Sequence, residues 1–220
     1  VPDRWIEEFY KEILLILQEN IVYQSLLLLQ SLNKELESET KALDFTRPNK
    51  REERIETISN LTILIDSFLD ELDRYCNYNN IDLQGYSSIF DFDLSQNISK
   101  IYEPYYFKSA TISPKGTELQ NYNIDDASIL PDITVKIDLP ALSNAEYRDN
   151  IIYIGDVGGT FSKEVKKLLS SKPIQKVQEI IAKIFLAAFE HEAIHYMQDN
   201  VLPRRDIYFN IDIAAYEDSP

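Results

Sequence analysis

Both histidines of the chain lie in one run, His191-Glu192-Ala193-Ile194-His195. On a helix, positions 191 and 195 are about 40° apart in projection and about 5.4 Å apart along the axis. Two imidazoles at that spacing converge on a single ion, and neutral imidazole is a good ligand for Zn²⁺. Glu192 is rotated by about 100° from His191. Its carboxylate therefore reaches the edge of the same site without being forced into the coordination shell. A Zn²⁺ with three protein ligands keeps one position for water and lowers that water's pKa to about 7. The spacing thus marks His191 and His195 as metal ligands. Glu192 is the candidate general base, taking the water proton and passing it to a leaving amine. The plainer alternative is a buried helix whose His residues only satisfy local hydrogen bonds.

A helix must carry this run. Pro173 suits a first helical turn. Val177, Ile180, Ile181, Ile184, Phe185 and Ala188 make a wide apolar stripe at steps of three and four. The helix is expected to continue through the motif to about Asp199, with Pro203 just beyond its end. A shorter helix is expected over 161–171.

The segment before it, 77–160, loses helical spacing. Ile133, Val135, Ile137 and Leu139 alternate with Asp132, Thr134, Lys136 and Asp138, which is the pattern of a half-buried strand ended by Pro140. Asn150 to Ile154 reads as a second short strand. It leads into the loop Gly155-Asp156-Val157-Gly158-Gly159, which lacks the trailing Lys of a phosphate-cradling loop and reads as a connector. Tyr102, Tyr105, Tyr106 and Phe107 form an aromatic cluster without basic neighbours, hence core or interface and not a platform for bases.

The N-terminal part is helical. Ile6, Phe9, Ile13 and Ile16 set a stripe within 3–45, Arg47-Pro48-Asn49-Lys50 breaks it, and Ile58, Leu61, Ile65, Phe68 and Leu72 set another within 51–76. Two long amphipathic helices around a short turn make an αα-hairpin. Such a hairpin either packs on the rest of the protein or offers a docking surface for protein assembly partners. The expected architecture is α+β: the hairpin, a small mostly antiparallel sheet, then the motif helix. The best boundary lies near residue 80, giving a 1–80 hairpin and an 81–220 α+β domain, or one continuous domain.

The motif resembles that of the zincin metallopeptidases, in the gluzincin branch whose third ligand is a downstream Glu. The resemblance covers roughly the last 90 residues of the sequence and leaves the helical N-terminal part unexplained. The metzincin branch fits poorly, because Gln198 and Val201 stand where it needs Gly and His. A closer resemblance is to small phage-encoded zinc peptidases. These read HExxHxxQD, then an aromatic and Pro, then a Glu-rich helix. Here His191 to Asp199 reads HEAIHYMQD, and Tyr216-Glu217-Asp218-Ser219-Pro220 is similar to the residues just before that helix. The resemblance implies a zincin-type active-site helix, a Zn²⁺ cofactor and a peptide or protein substrate. It places the third ligand beyond Pro220, with Glu217 and Asp212 as substitutes inside the chain. On that expectation the chain as given binds zinc weakly and is inactive.

Bulk composition narrows the alternatives. The chain has 220 residues, enough for one sizeable core. Its net charge of −15 repels nucleic-acid phosphates and anionic membrane surfaces. No apolar stretch is expected to span a bilayer, since Gln, Glu and Asn interrupt the runs 13–17 and 26–29. The single cysteine, Cys76, excludes a disulfide framework and Cys-rich zinc sites, and weakly favours an intracellular setting, to which the phage resemblance adds a virion-associated one. It reads as a core filler, with no His left over to activate it. Three functions compete: a zinc peptidase, a non-catalytic structural or cargo component of a phage virion or similar assembly, and an unrelated helical interaction protein.

Overall fold

Pro48, expected to break the helical pattern, instead starts the second helix. It occupies the first turn, where a missing N–H costs nothing, and Arg47 before it is extended (φ −60°, ψ 145°). The computed structural model describes residues 1–82, 107–117, 119, 129–138, 145–155 and 160–201. Among these are four helices and four strands. They run α1 (Asp3–Leu43), α2 (Pro48–Tyr78), β1 (Phe107–Ile112), β2 (Ile133–Asp138), β3 (Ala145–Arg148), β4 (Ile151–Gly155), α3 (Thr160–Leu169) and α4 (Ile174–Asn200). The protein is α+β, with a long helical N-terminal region and a small mixed sheet. Tyr102, Tyr105 and Tyr106, Leu139 and Pro140, the loop residues 156–159, Pro203, and the substitute ligands Asp212 and Glu217 lie outside the described residues.

The chain forms two compact units, each gathered from separate segments. One comprises Leu17–Tyr105 and Ser162–Glu179. Within it α1 and α2 run as a hairpin. Arg54 donates to Glu39 at 3.0 Å near the turn, and Gln18 donates to Asn79 at 3.0 Å towards the other end. Leu61, Ile65, Phe68 and Leu72 are buried as their spacing predicts, joined by Tyr75 and Cys76, while Ile58 is half-buried. From Asn20 to Gln30 α1 is buried on nearly every side, polar residues included. By length and composition this helix is apolar enough to cross a membrane, contrary to expectation. Its polar interruptions are too sparse to lower the average, and most of the apolar window is buried, as in the core helix of a folded domain.

The other unit comprises Val1–Ile16, Tyr106–Phe161 and Ile180–Pro220. Its sheet has the order β1-β2-β4-β3, with antiparallel pairs at both edges and a parallel pair, β2 with β4, between them. Ile133, Val135 and Ile137 are buried, and so are Ile152 and Ile154 on β4. On the other face Lys136 and Arg148 lie over the Tyr153 ring, 5.6 and 5.4 Å from its centroid. Asp149 and Asn150 join β3 to β4 with both φ values positive, 53° and 62°. That is the two-residue hairpin turn whose twist matches the strands.

The start of α1 closes this core. Trp5 is fully buried and its indole N–H donates to Thr117 Oγ1 at 2.9 Å. Arg4 donates to the Ser113 carbonyl and, at 2.7 Å, to that of Lys115. The Lys115 carbonyl belongs to a turn closed by Thr117 N–H on Pro114 O, with Gly116 at φ +78°, and the Ser113 carbonyl lies just before it. That φ suits glycine, and a Cβ there would meet the Arg4 guanidinium at 3.1 Å. The buried stripe of α1 is Trp5, Phe9, Ile13, Leu17 and Ile21. The expected Ile6 and Ile16 are only half-buried.

Candidate metal centre

The motif helix α4 starts where Pro173 ends the preceding turn. The Pro173 carbonyl accepts from Val177 N–H at 3.0 Å, and the Glu71 carboxylate accepts from Ile174 N–H at 2.5 Å. An anionic acceptor at a helix N-terminus satisfies an otherwise orphaned donor and complements the helix dipole. Tyr75 adds a hydroxyl donated to Gln178 Oε1 at 3.0 Å, and burial pushes its pKa well up.

From Ile180 onward the helix is two-faced. Ile181, Ala182, Phe185, Phe189, Ala193 and Tyr196 are buried. Ile184, expected in the stripe, is 40% exposed, because the buried arc centres on Ile181, Phe185 and Phe189 and leaves Ile184 at its margin. Phe189 stacks on Phe9 with centroids 4.3 Å apart, and Tyr196 meets Trp5 edge-on at 5.7 Å. Those contacts fix the rotation of α4, and with it the direction in which the motif points.

The structure brings His191, Glu192 and His195 together on this helix. The imidazoles lie on the exposed side, 5.3 Å apart between centroids and nearly perpendicular (84°). The His191 side chain is 71% exposed. Glu192 sits between that side and the core and is only 5% exposed. His191 Nε2 is 4.0 Å from Glu192 Oε1. His195 Nδ1 is 3.0 Å from Gln198 Oε1.

As a donor set for zinc this is two imidazoles on one face with a carboxylate at their margin. No group of three metal-binding side chains is present among the described residues. The two histidines fit part of a site that needs at least three protein ligands.

Spacing alone did not reveal how the end of the helix is held. Asn200 Nδ2 donates to Asn150 Oδ1 (2.8 Å), the Tyr147 hydroxyl (3.2 Å) and the Tyr196 carbonyl (3.1 Å). Tyr147 donates to Asn150 Oδ1 at 3.1 Å, and Tyr196 to the Pro131 carbonyl at 2.7 Å. The last turn of α4 is thereby clamped to the β3–β4 turn. Burial pushes the Tyr196 hydroxyl pKa well up, with Tyr147 and Asp132 adding to it. Burial also raises that of Tyr147, opposed by the hydrogen bond from Asn200. An Asp-Asn pair directly before a β-rich run was the available signal for this turn. The chain matches no protein-family model, no curated protein and no solved structure.

Proposed function

We propose that the chain carries the catalytic helix of a zinc-dependent peptidase of the gluzincin type. One observation carries the reading. Among the described residues Glu192 is the only charged side chain in the buried set, and it borders two exposed imidazoles. Burying a carboxylate is costly unless it is paired or lies beside a metal, whereas a helix that merely packs could place an apolar residue there.

His191 and His195 would hold the ion, which when bound supplies the positive charge that makes a water acidic. A third protein ligand is required. Asp212 and Glu217, the candidates within the given sequence, lie outside the described residues. Glu192 acts at its carboxylate oxygens, holding the proton taken from the attacking water and delivering it to the leaving amine. Burial on the core side restrains this carboxylate, so it does not need to be ordered at the moment of reaction.

Metal analysis by mass spectrometry together with a peptide-cleavage assay tests the reading. Both would be run on this chain and on a form extended past Pro220. The expected result is stoichiometric zinc where the third ligand is present. Glu192→Gln should keep that zinc and lose roughly 100-fold or more in cleavage rate. No zinc in either form would sink the proposal, and undiminished cleavage by the Gln variant would remove Glu192 as base.

A non-catalytic component of a phage virion or similar assembly is the second reading. It is favoured by Ile55, Ile63 and Leu64 of α2, each about half exposed or more, which leave separate apolar side chains along the open side of that helix for protein partners to cover. Cleavage-free protein that still enters its assembly would mark this reading.

A further inference from the structure

We infer that Gln198 is a positioning residue that holds His195 in the Nδ1–H tautomer and so leaves the Nε2 lone pair free to bind. Gln198 lies three residues after His195, about 60° round the helix and about 4.5 Å along it, where side chains meet. The atom of Gln198 that faces the ring is Oε1, 3.0 Å from Nδ1. An amide oxygen only accepts hydrogen bonds, so with Oε1 towards the ring the contact is one that the Nδ1–H tautomer makes. Neutral imidazole has one N–H, and the lone pair therefore resides on Nε2. A ring nitrogen committed to a neighbouring acceptor is the usual way a ligating histidine is oriented and its tautomer selected. The pair is self-contained on α4 and needs no metal to form. Its use for metal binding rests on the proposed zinc site, while the tautomer does not.

The chain suits a direct test, because it has only two histidines. Long-range ¹H–¹⁵N correlation on metal-free protein, at a pH where both rings are neutral, reads each tautomer separately. His191 serves as the internal reference. Its described contacts are the Glu192 carboxylate, at 4.0 Å from Nε2, and the edge of the His195 ring. The expected spectrum has a pyrrole-like Nδ1 and a pyridine-like Nε2 for His195. In Gln198→Leu the ratio of Nδ1–H to Nε2–H form at His195 should fall on the order of fivefold, the weight of one ordinary net hydrogen bond. Gln198→Glu, which keeps an acceptor at the same reach, should restore it. Both substitutions fall on an exposed helical position, and unchanged circular dichroism would show that the fold is kept. A His195 found as Nε2–H in the unaltered protein, or unmoved by Gln198→Leu, overturns the inference.

Zinc affinity measured by chelator competition separates this inference from the peptidase reading. A zinc-binding form should bind roughly 10-fold or more weakly after Gln198→Leu. A zinc affinity unmoved by that change would overturn the role of Gln198 in positioning the ligand. The expected tautomers with no zinc uptake in any form would uphold the assignment of Gln198 to His195 and sink the peptidase reading.

Discussion

Two helical stretches bury polar side chains, and they bury different kinds. In α1, Asn20, Gln24, Ser25 and Gln30 are buried within the helical unit, and all are neutral. In the sheet-bearing unit, α4 buries Glu192, an ionisable group, next to two exposed imidazoles. Neutral amides and hydroxyls can be satisfied inside a core by ordinary hydrogen bonds, and their net effect on stability is small. A carboxylate in the same situation needs a counter-charge or a metal. The first stretch is therefore architecture. The second keeps a feature that architecture alone does not require.

If α4 is two-faced, its faces must respond differently to truncation. Phe189→Ala removes the ring stacked on Phe9 in a fully buried position and should cost about 3–5 kcal/mol, read as a lower urea midpoint at unchanged slope. Ile194→Ala, on the exposed side of the same helix, should stay within about 0.5 kcal/mol. Equal losses at the two positions would mean that the imidazole side is packed, and the contrast with α1 would fail.

The clamp on the last turn is a smaller test of the same unit. Asn200→Ala deletes three hydrogen bonds and leaves Asn150 and Tyr147 paired with each other. The expected loss is about 1–2 kcal/mol, with faster hydrogen exchange in the β3–β4 hairpin than elsewhere in the sheet. Uniform exchange would show that the hairpin does not depend on the helix end.

These contrasts explain what could be read from the chain and what could not. The alternation at Ile133, Val135 and Ile137 announced β2 because one face is dry and the other wet. β3 was missed because its four residues alternate only between half-buried and exposed, and its Asp149-Asn150 turn lacks the glycine that usually betrays such a hairpin. The spacing of α1 predicts a stripe through Ile6 and Ile16, whereas Trp5 and Leu17 are the residues buried. Apolar residues there are dense enough to fit more than one helical register, and tertiary packing chooses among them. The pair at His191 and His195 was legible because ligand spacing is a property of one helix. The burial of Glu192 depends on what α4 packs against, and the Gln198 contact on side-chain direction. Neither is written in spacing.

In the helical unit, Cys76 gives a pH-dependent test. Burial, with the Asp73 charge adding to it, pushes its thiol up to about 11 from an ordinary value of 9.0. The folded state thus holds the proton more tightly than the unfolded state. The resulting stability is complete below about pH 9 and is lost as pH rises towards 11. The melting temperature of the unaltered chain should fall more steeply over that window than that of Cys76→Ala. Parallel curves would mean that the thiol ionises as easily folded as unfolded.

A small effect is also expected at Ser25, and it bears most directly on whether α1 is architecture only. Among the described residues its buried hydroxyl oxygen has no hydrogen-bond partner. Folding therefore strips water from that hydroxyl without an evident return. Ser25→Ala removes the desolvated group, adds helix propensity and opens almost no cavity, so stability should hold or rise by about 0.5 kcal/mol. A loss above about 1 kcal/mol would mean that the hydroxyl is satisfied after all and belongs to the polar set formed with Asn20, Gln24 and Gln30. The neutral residues of α1 would then be a connected network, closer in kind to the motif face of α4 than their lack of charge suggests.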